Sequence, residues 1–129
     1  MPVDPSEDFA RAICSDKWDE ATGEMSASLF KGENTSVSRL ALCPLDETWD
    51  LFHRQVEKPP ERTLRRIGTM NVGRLQQIGQ GFPANPTALT VEPDPLPDFR
   101  SHAVIPEKIS RGLANAIIRE LTVHEENPS

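Results

Sequence analysis

His102 is the residue of this sequence best placed to do chemistry. An imidazole changes charge near neutral pH and is the commonest proton carrier in proteins. Here it follows an acidic, proline-studded run, Glu92-Pro93-Asp94-Pro95-Leu96-Pro97-Asp98, and precedes an amphipathic stretch that opens near Pro106. Asp94 and Asp98 are therefore the carboxylates within its reach. Ser101 is no partner by adjacency alone, because neighbouring residues of an extended chain point to opposite faces. Two roles stay open for His102: a proton carrier lining a pocket, or a ring tied to a backbone carbonyl in a loop.

Ser36, Ser38 and Arg39 form a second group. Alternation along a strand puts the two serines on one face and Val37 and Arg39 on the other, so the serines either bind a polar ligand together or face solvent. Arg62, Arg65, Arg66 and Arg74 concentrate positive charge in a chain whose formal charge is −6. A guanidinium grips phosphate or carboxylate in a bidentate fork, which points to an anionic small molecule or partner, or to internal pairing with Asp16, Asp19, Glu20 and Glu24. Trp18 stands in a polar run, where a tryptophan closes a core edge or lines a binding surface, whereas Trp49 belongs to an apolar helical stripe. His53, His102 and His124 are scattered, and Cys14 and Cys43 belong to no Cys-x-x-Cys pair, so no metal site is expected and both thiols should be free. A glycine-rich phosphate loop and a serine-centred elbow are both missing, and no cofactor is expected.

These residues need elements to hold them. Ser6 is placed to cap a short helix through Phe9, Ala12 and Ile13 that ends near 14–16. Segments 26–30 and 36–42 flank Lys31-Gly32-Glu33-Asn34, a sequence suited to a reversing connection, which predicts a β-hairpin. Leu45, Trp49, Phe52 and Val56 make one stripe on a helix over 46–57, capped by Asp46 and stopped by Lys58-Pro59-Pro60. A strand is expected over 63–70, then a short helix capped by Asn71 and closed by Gly79 and Gly81. Strands are expected next at 87–91 and 101–105. A last helix over 106–121 carries Ile109, Leu113, Ala116, Ile117 and Leu121 on its apolar face, with Gly112 inside it where only close packing would require a glycine. Residues 126–129 are expected to be disordered. The result is one α+β domain over 1–125: a small, mostly antiparallel sheet of about five strands, with the helices at 46–57 and 106–121 covering one face.

Composition narrows the function. At 129 residues the chain can bury one core, and 36% apolar residues with twelve prolines imply a modest core wrapped in long connections. The negative charge opposes nonspecific binding to nucleic acid or to an anionic membrane, both of which need a basic field. No apolar run is long enough to span a bilayer and the first residues are acidic, so a cytosolic protein is expected.

Trp18, the Ser26-Ala27-Ser28-Leu29-Phe30 step, the strand Ser36 to Arg39, the segment Gly68 to Val72 and the stretch Asp94 to Ala103 together resemble a loosely defined set of small bacterial proteins with no assigned activity. The resemblance implies one compact domain and adds interest to His102. Without an assembled catalytic constellation, the leading expectation is a noncatalytic binding or accessory protein that acts on a protein partner. Two alternatives stand beside it. One is a small enzyme acting on a nucleotide or other anionic small molecule, with arginine holding the anion and His102 moving a proton. The other is a toxin-neutralising or phage- or defence-associated regulator.

Overall fold

The middle of the sheet is built from a segment whose sequence reads equally well as helix. The computed structural model describes residues 1–126, and in it Asp8–Cys14 is a strand, β1, in place of the short helix expected there. Phe9, Ala10, Ala12, Ile13 and Cys14 are all buried, because apolar cores lie on both faces of the strand. A strand covered on both sides loses the polar alternation that would distinguish it from a helix.

β1 pairs antiparallel with β3 (Leu64–Asn71) from Asp8 opposite Asn71 to Cys14 opposite Leu64, with one irregularity between Ile13 and Cys14. With β2 (Thr35–Arg39) it pairs only at Phe9 and Ala10, opposite Arg39 and Ser38. Beyond those pairs Arg11 takes over from the ladder: its Nε donates to the Leu29 carbonyl and its Nη1 to the Ser36 carbonyl, each at 3.0 Å. The remaining strands are β4 (Glu92–Pro93), β5 (His102–Ile105) and β6 (Thr122–His124), giving one six-stranded antiparallel sheet in the order β4-β5-β2-β1-β3-β6. With helices α1 (Leu45–Gln55), α2 (Val72–Gln80) and α3 (Arg111–Glu120), the chain is a single α+β domain.

Two helices do cover one face of the sheet, but they are α2 and α3. Their Leu75, Ile78, Leu113, Ala114 and Ile117 share a core with Phe9, Ile13, Val37 and Met70. The helix expected over 46–57 is instead on the other face, where Trp49, Leu51 and Phe52 of α1 pack with Ala10, Ala12, Ile67 and Phe99. A central strand that is apolar on both sides needs a helix on each.

Several local expectations change for identifiable reasons. Segment 26–30 is not a strand: Ser26 caps a single 3₁₀ turn, Ala27–Leu29, by accepting from the Ser28 N–H at 3.2 Å. Serines favour such local bonds over ladder pairing. The expected hairpin therefore does not form, and β2 pairs with β1 and β5. Segment 87–91 belongs to no strand, since its polar groups go to scattered partners: Glu107 accepts from the Thr90 N–H at 2.8 Å and hydroxyl at 2.6 Å, the Thr87 N–H donates to the Gly79 carbonyl and the Val91 carbonyl accepts from the Val3 N–H. That use of Glu107, and the two 2.9 Å backbone bonds that Ile109 exchanges with Gly32, keep 106–110 out of the helix. α3 starts at Arg111 under a Ser110 cap. Gly112 does have close packing, against the Phe82 ring 3.0 Å from where a Cβ would sit. After α3 the chain is still ordered into β6, which pairs Thr122, Val123 and His124 with Thr69, Gly68 and Ile67. Of the tail expected over 126–129, residues 127–129 lie outside the described residues, while Glu126 accepts a hydrogen bond from His53 Nε2 at 3.0 Å. Both cysteines are free, and among the described residues no helix is long and apolar enough to cross a membrane.

Candidate functional site

His102 is brought against two groups far from it in sequence. It opens β5, pairs with Ser38 across β2, and is 8% exposed. Its Nδ1 donates to the Asp94 carbonyl at 2.8 Å, and the Asp94 carboxylate stands 3.2 Å from the same nitrogen. A carbonyl oxygen can only accept, so Nδ1 carries the proton, and in the neutral ring Nε2 is left to accept. Its donor is the Ser36 hydroxyl, at 3.1 Å. The Phe99 ring packs edge-on to the imidazole, 5.0 Å between centroids and at 75°, which fixes the plane of the ring.

Ser36 and Ser38 share a face, as the strand alternation requires, yet they do not act together. Ser38 is fully buried and its hydroxyl is 2.7 Å from that of Ser101, itself 3% exposed. Ser36 is exposed. Arg39 is occupied by a fork onto Glu7, at 3.1 Å through Nε and 2.8 Å through Nη2, and that bond raises its pKa further. Asp98 offers its backbone carbonyl to Gln55 rather than its carboxylate to His102.

The four arginines at 62–74 are not gathered into one anion site. Arg62 donates to the Val56 carbonyl at 3.0 Å, Arg65 stands 3.7 Å from Glu20, and Arg66 pairs with Glu125 at 3.1 Å. Arg74, beyond the far end of β3, forks onto Glu120 through two bonds of 2.7 Å. The whole of β3 separates the first from the last, roughly 25 Å of extended chain. Of the acidic residues expected to pair with this cluster, only Glu20 meets one of its members within salt-bridge range.

Trp18 and Arg66 belong together. The guanidinium lies 4.8 Å from the indole centroid, a cation–π contact. Both line an open groove of about 990 Å³, with Leu45, Asp46, Trp49 and Asp50 from α1 and residues 123–126 from β6 and the chain after it. Both tryptophans of the chain thus meet in one groove, with the carboxylates of Asp46, Asp50, Glu125 and Glu126. The Trp18 Nε1 is shielded from solvent and has no acceptor among the described residues. Sequence reasoning assigns Trp49 to the core, which is correct for most of its surface, since it is 8% exposed. It misses the groove carboxylates, although Asp46 and Asp50 are four apart on a helix and must share a face.

Among the described residues no three histidine, cysteine or carboxylate side chains are grouped to hold a metal ion. No protein-family model, no curated protein and no solved structure matches this chain.

Proposed function

We propose that this protein binds a protein partner through the groove beside β6, and that the partner supplies an extended, basic segment. The observation that carries this reading is the joint lining of one open groove by two tryptophans and the carboxylates of Asp46 and Asp50, next to the sheet's terminal strand, with Glu125 and Glu126 there paired to Arg66 and His53. Lysine and arginine side chains suit such a lining twice over. Their charged heads complement the carboxylates, and their aliphatic stems pack on indole. β6 is the last strand of the sheet and pairs with no further strand among the described residues, so its outer N–H and C=O groups can accept an added strand.

A titration with a peptide of alternating lysine and valine tests this. Because both of the chain's tryptophans line the groove, intrinsic fluorescence reports on that surface. The expected result is a saturable change in emission that weakens as salt is added. The Asp46→Asn and Asp50→Asn double variant should bind about five to ten times more weakly, the sum of two exposed ion pairs. A peptide methylated on alternate backbone nitrogens keeps its charge but cannot join a sheet, and it should lose most of its affinity. Equal binding of a glutamate–valine peptide, or no emission change with the basic one, would overturn the proposal.

A further inference from the structure

We infer that Ser36, His102 and Asp94 form a hydrolytic relay in which Ser36 is the nucleophile toward short-chain acyl esters. This site is separate from the groove and does not depend on it, and it departs from the expectation of a noncatalytic protein. The order of contacts is the one that nucleophilic serine chemistry requires: hydroxyl to Nε2 at 3.1 Å, and Nδ1 to the Asp94 carbonyl at 2.8 Å and carboxylate at 3.2 Å. Exposure is divided in the same sense, since Ser36 is open to solvent and the ring of His102 is not. Water could satisfy an exposed hydroxyl without help, so solvation does not require the bond from Ser36 to His102. Ser38, two residues along the same face, has another hydroxyl as its partner and is sealed from reagents.

The substrate class is set by the surroundings of Ser36. It lines a small pocket of about 30 Å³ with Arg11, Ala12, Val37, Phe52, Val56 and Phe99. The apolar walls suit an acyl group of about two carbons, because that volume holds little more than a water or two. Arg11, which donates to the carbonyl of Ser36, lines the same pocket and is its one charged residue. In the first step the Ser36 Oγ–carbon bond forms as the hydroxyl proton passes to His102 Nε2. The ester carbon–oxygen bond then breaks, and that proton leaves with the alcohol. Water attacks the acyl carbon next, giving its proton to Nε2, and the Oγ–carbon bond breaks as Ser36 recovers a proton. The net change is ester plus water to acid plus alcohol. The Asp94 carboxylate faces the imidazolium that forms between steps.

Incubation of the full chain with p-nitrophenyl acetate tests this, with the acetylated residue located by mass spectrometry. The expected result is a burst of nitrophenolate and an acetyl group on Ser36, with p-nitrophenyl octanoate turned over far more slowly. Ser36→Ala and His102→Ala should each lower turnover about 100-fold or more, the usual loss for a general base and its nucleophile. Should His102→Ala fail to fold, Ser36→Ala, at an exposed position, still decides the matter. The Asp46→Asn and Asp50→Asn groove variant should hydrolyse the ester as the unaltered chain does, so the two proposals fail separately. Acetylation spread over lysines, or turnover unchanged in Ser36→Ala, would overturn the inference.

Discussion

Arg11 does at the scale of one side chain what a strand pair does elsewhere. The β1–β2 ladder stops after two residue pairs, and the guanidinium carries the contact on by holding two carbonyls at 3.0 Å. Burial pushes its pKa below the ordinary arginine value, and the Cys14 thiol beside it is pushed up by burial as well. Arg11→Leu leaves both carbonyls without that donor, and the expected cost is about 1–3 kcal/mol, measured as a lower urea midpoint. Arg11→Lys should recover only part of this, since an ammonium cannot span the two acceptors as a planar fork does. At this scale the sequence is partly legible. The proline-rich run marks Asp94 as a carboxylate near His102, and a tie from the ring to a backbone carbonyl is one of the two roles that the sequence leaves open. Strand alternation suggests a partnership of Ser36 with Ser38 that does not exist. The real partner of Ser36 lies 66 residues away, and no local pattern encodes which strands will pair.

At the scale of elements, legibility depends on the number of faces buried. α1 and α2 each bury one stripe, so their spacing is readable from the sequence, as is the Asn71 cap, which accepts from the Arg74 N–H at 3.0 Å. β1 buries both faces and offers no usable period. The extended segment 87–91 reads as a strand because its composition suits one, yet no strand pairs with it and its Thr90 is held by a glutamate side chain. Glu107→Ala should therefore loosen that segment, seen as faster amide exchange at Thr90, with a loss of about 1–2 kcal/mol. Gly79 faces the same segment so closely that a Cβ would overlap the Thr87 carbonyl. Backbone cannot swing aside as a side chain can, and Gly79→Ala should cost about 1–3 kcal/mol in a thermal melt.

His53 ties α1 to the chain beyond β6. Its bond to Glu57, at 2.9 Å, raises its pKa above the ordinary 6.5, and Glu126 adds to this while burial opposes it. Glu57 is held below its ordinary 4.5, first by the Leu64 N–H at 2.8 Å and then by His53. A raised imidazole stabilises the fold below its ordinary value and ceases to do so as pH rises through the folded value. A lowered carboxyl contributes above its ordinary value and is lost as pH falls. The stability difference between the unaltered chain and His53→Ala should thus be greatest between those two ordinary values and shrink as pH rises past 6.5. Melts across that range check the sign.

Over the whole molecule, the sheet has two unlike ends. β4 is two residues long, contains Pro93, and is backed by the Asp94 N–H bond to the His102 carbonyl at 3.0 Å. A proline there removes a donor that an incoming strand would need. β6, at the opposite end, keeps its outer backbone groups and exposes Val123 at 37%. Polymerisation by strand addition needs two competent ends on every subunit, one to receive and one to offer. A chain with one such end can join at most one copy of itself, head to head, and growth then stops because no acceptor remains. Concentrating the protein should accordingly populate a symmetric dimer and nothing larger in a sedimentation experiment, with the basic peptide competing against it. Fibrils would require β4 to unfold first.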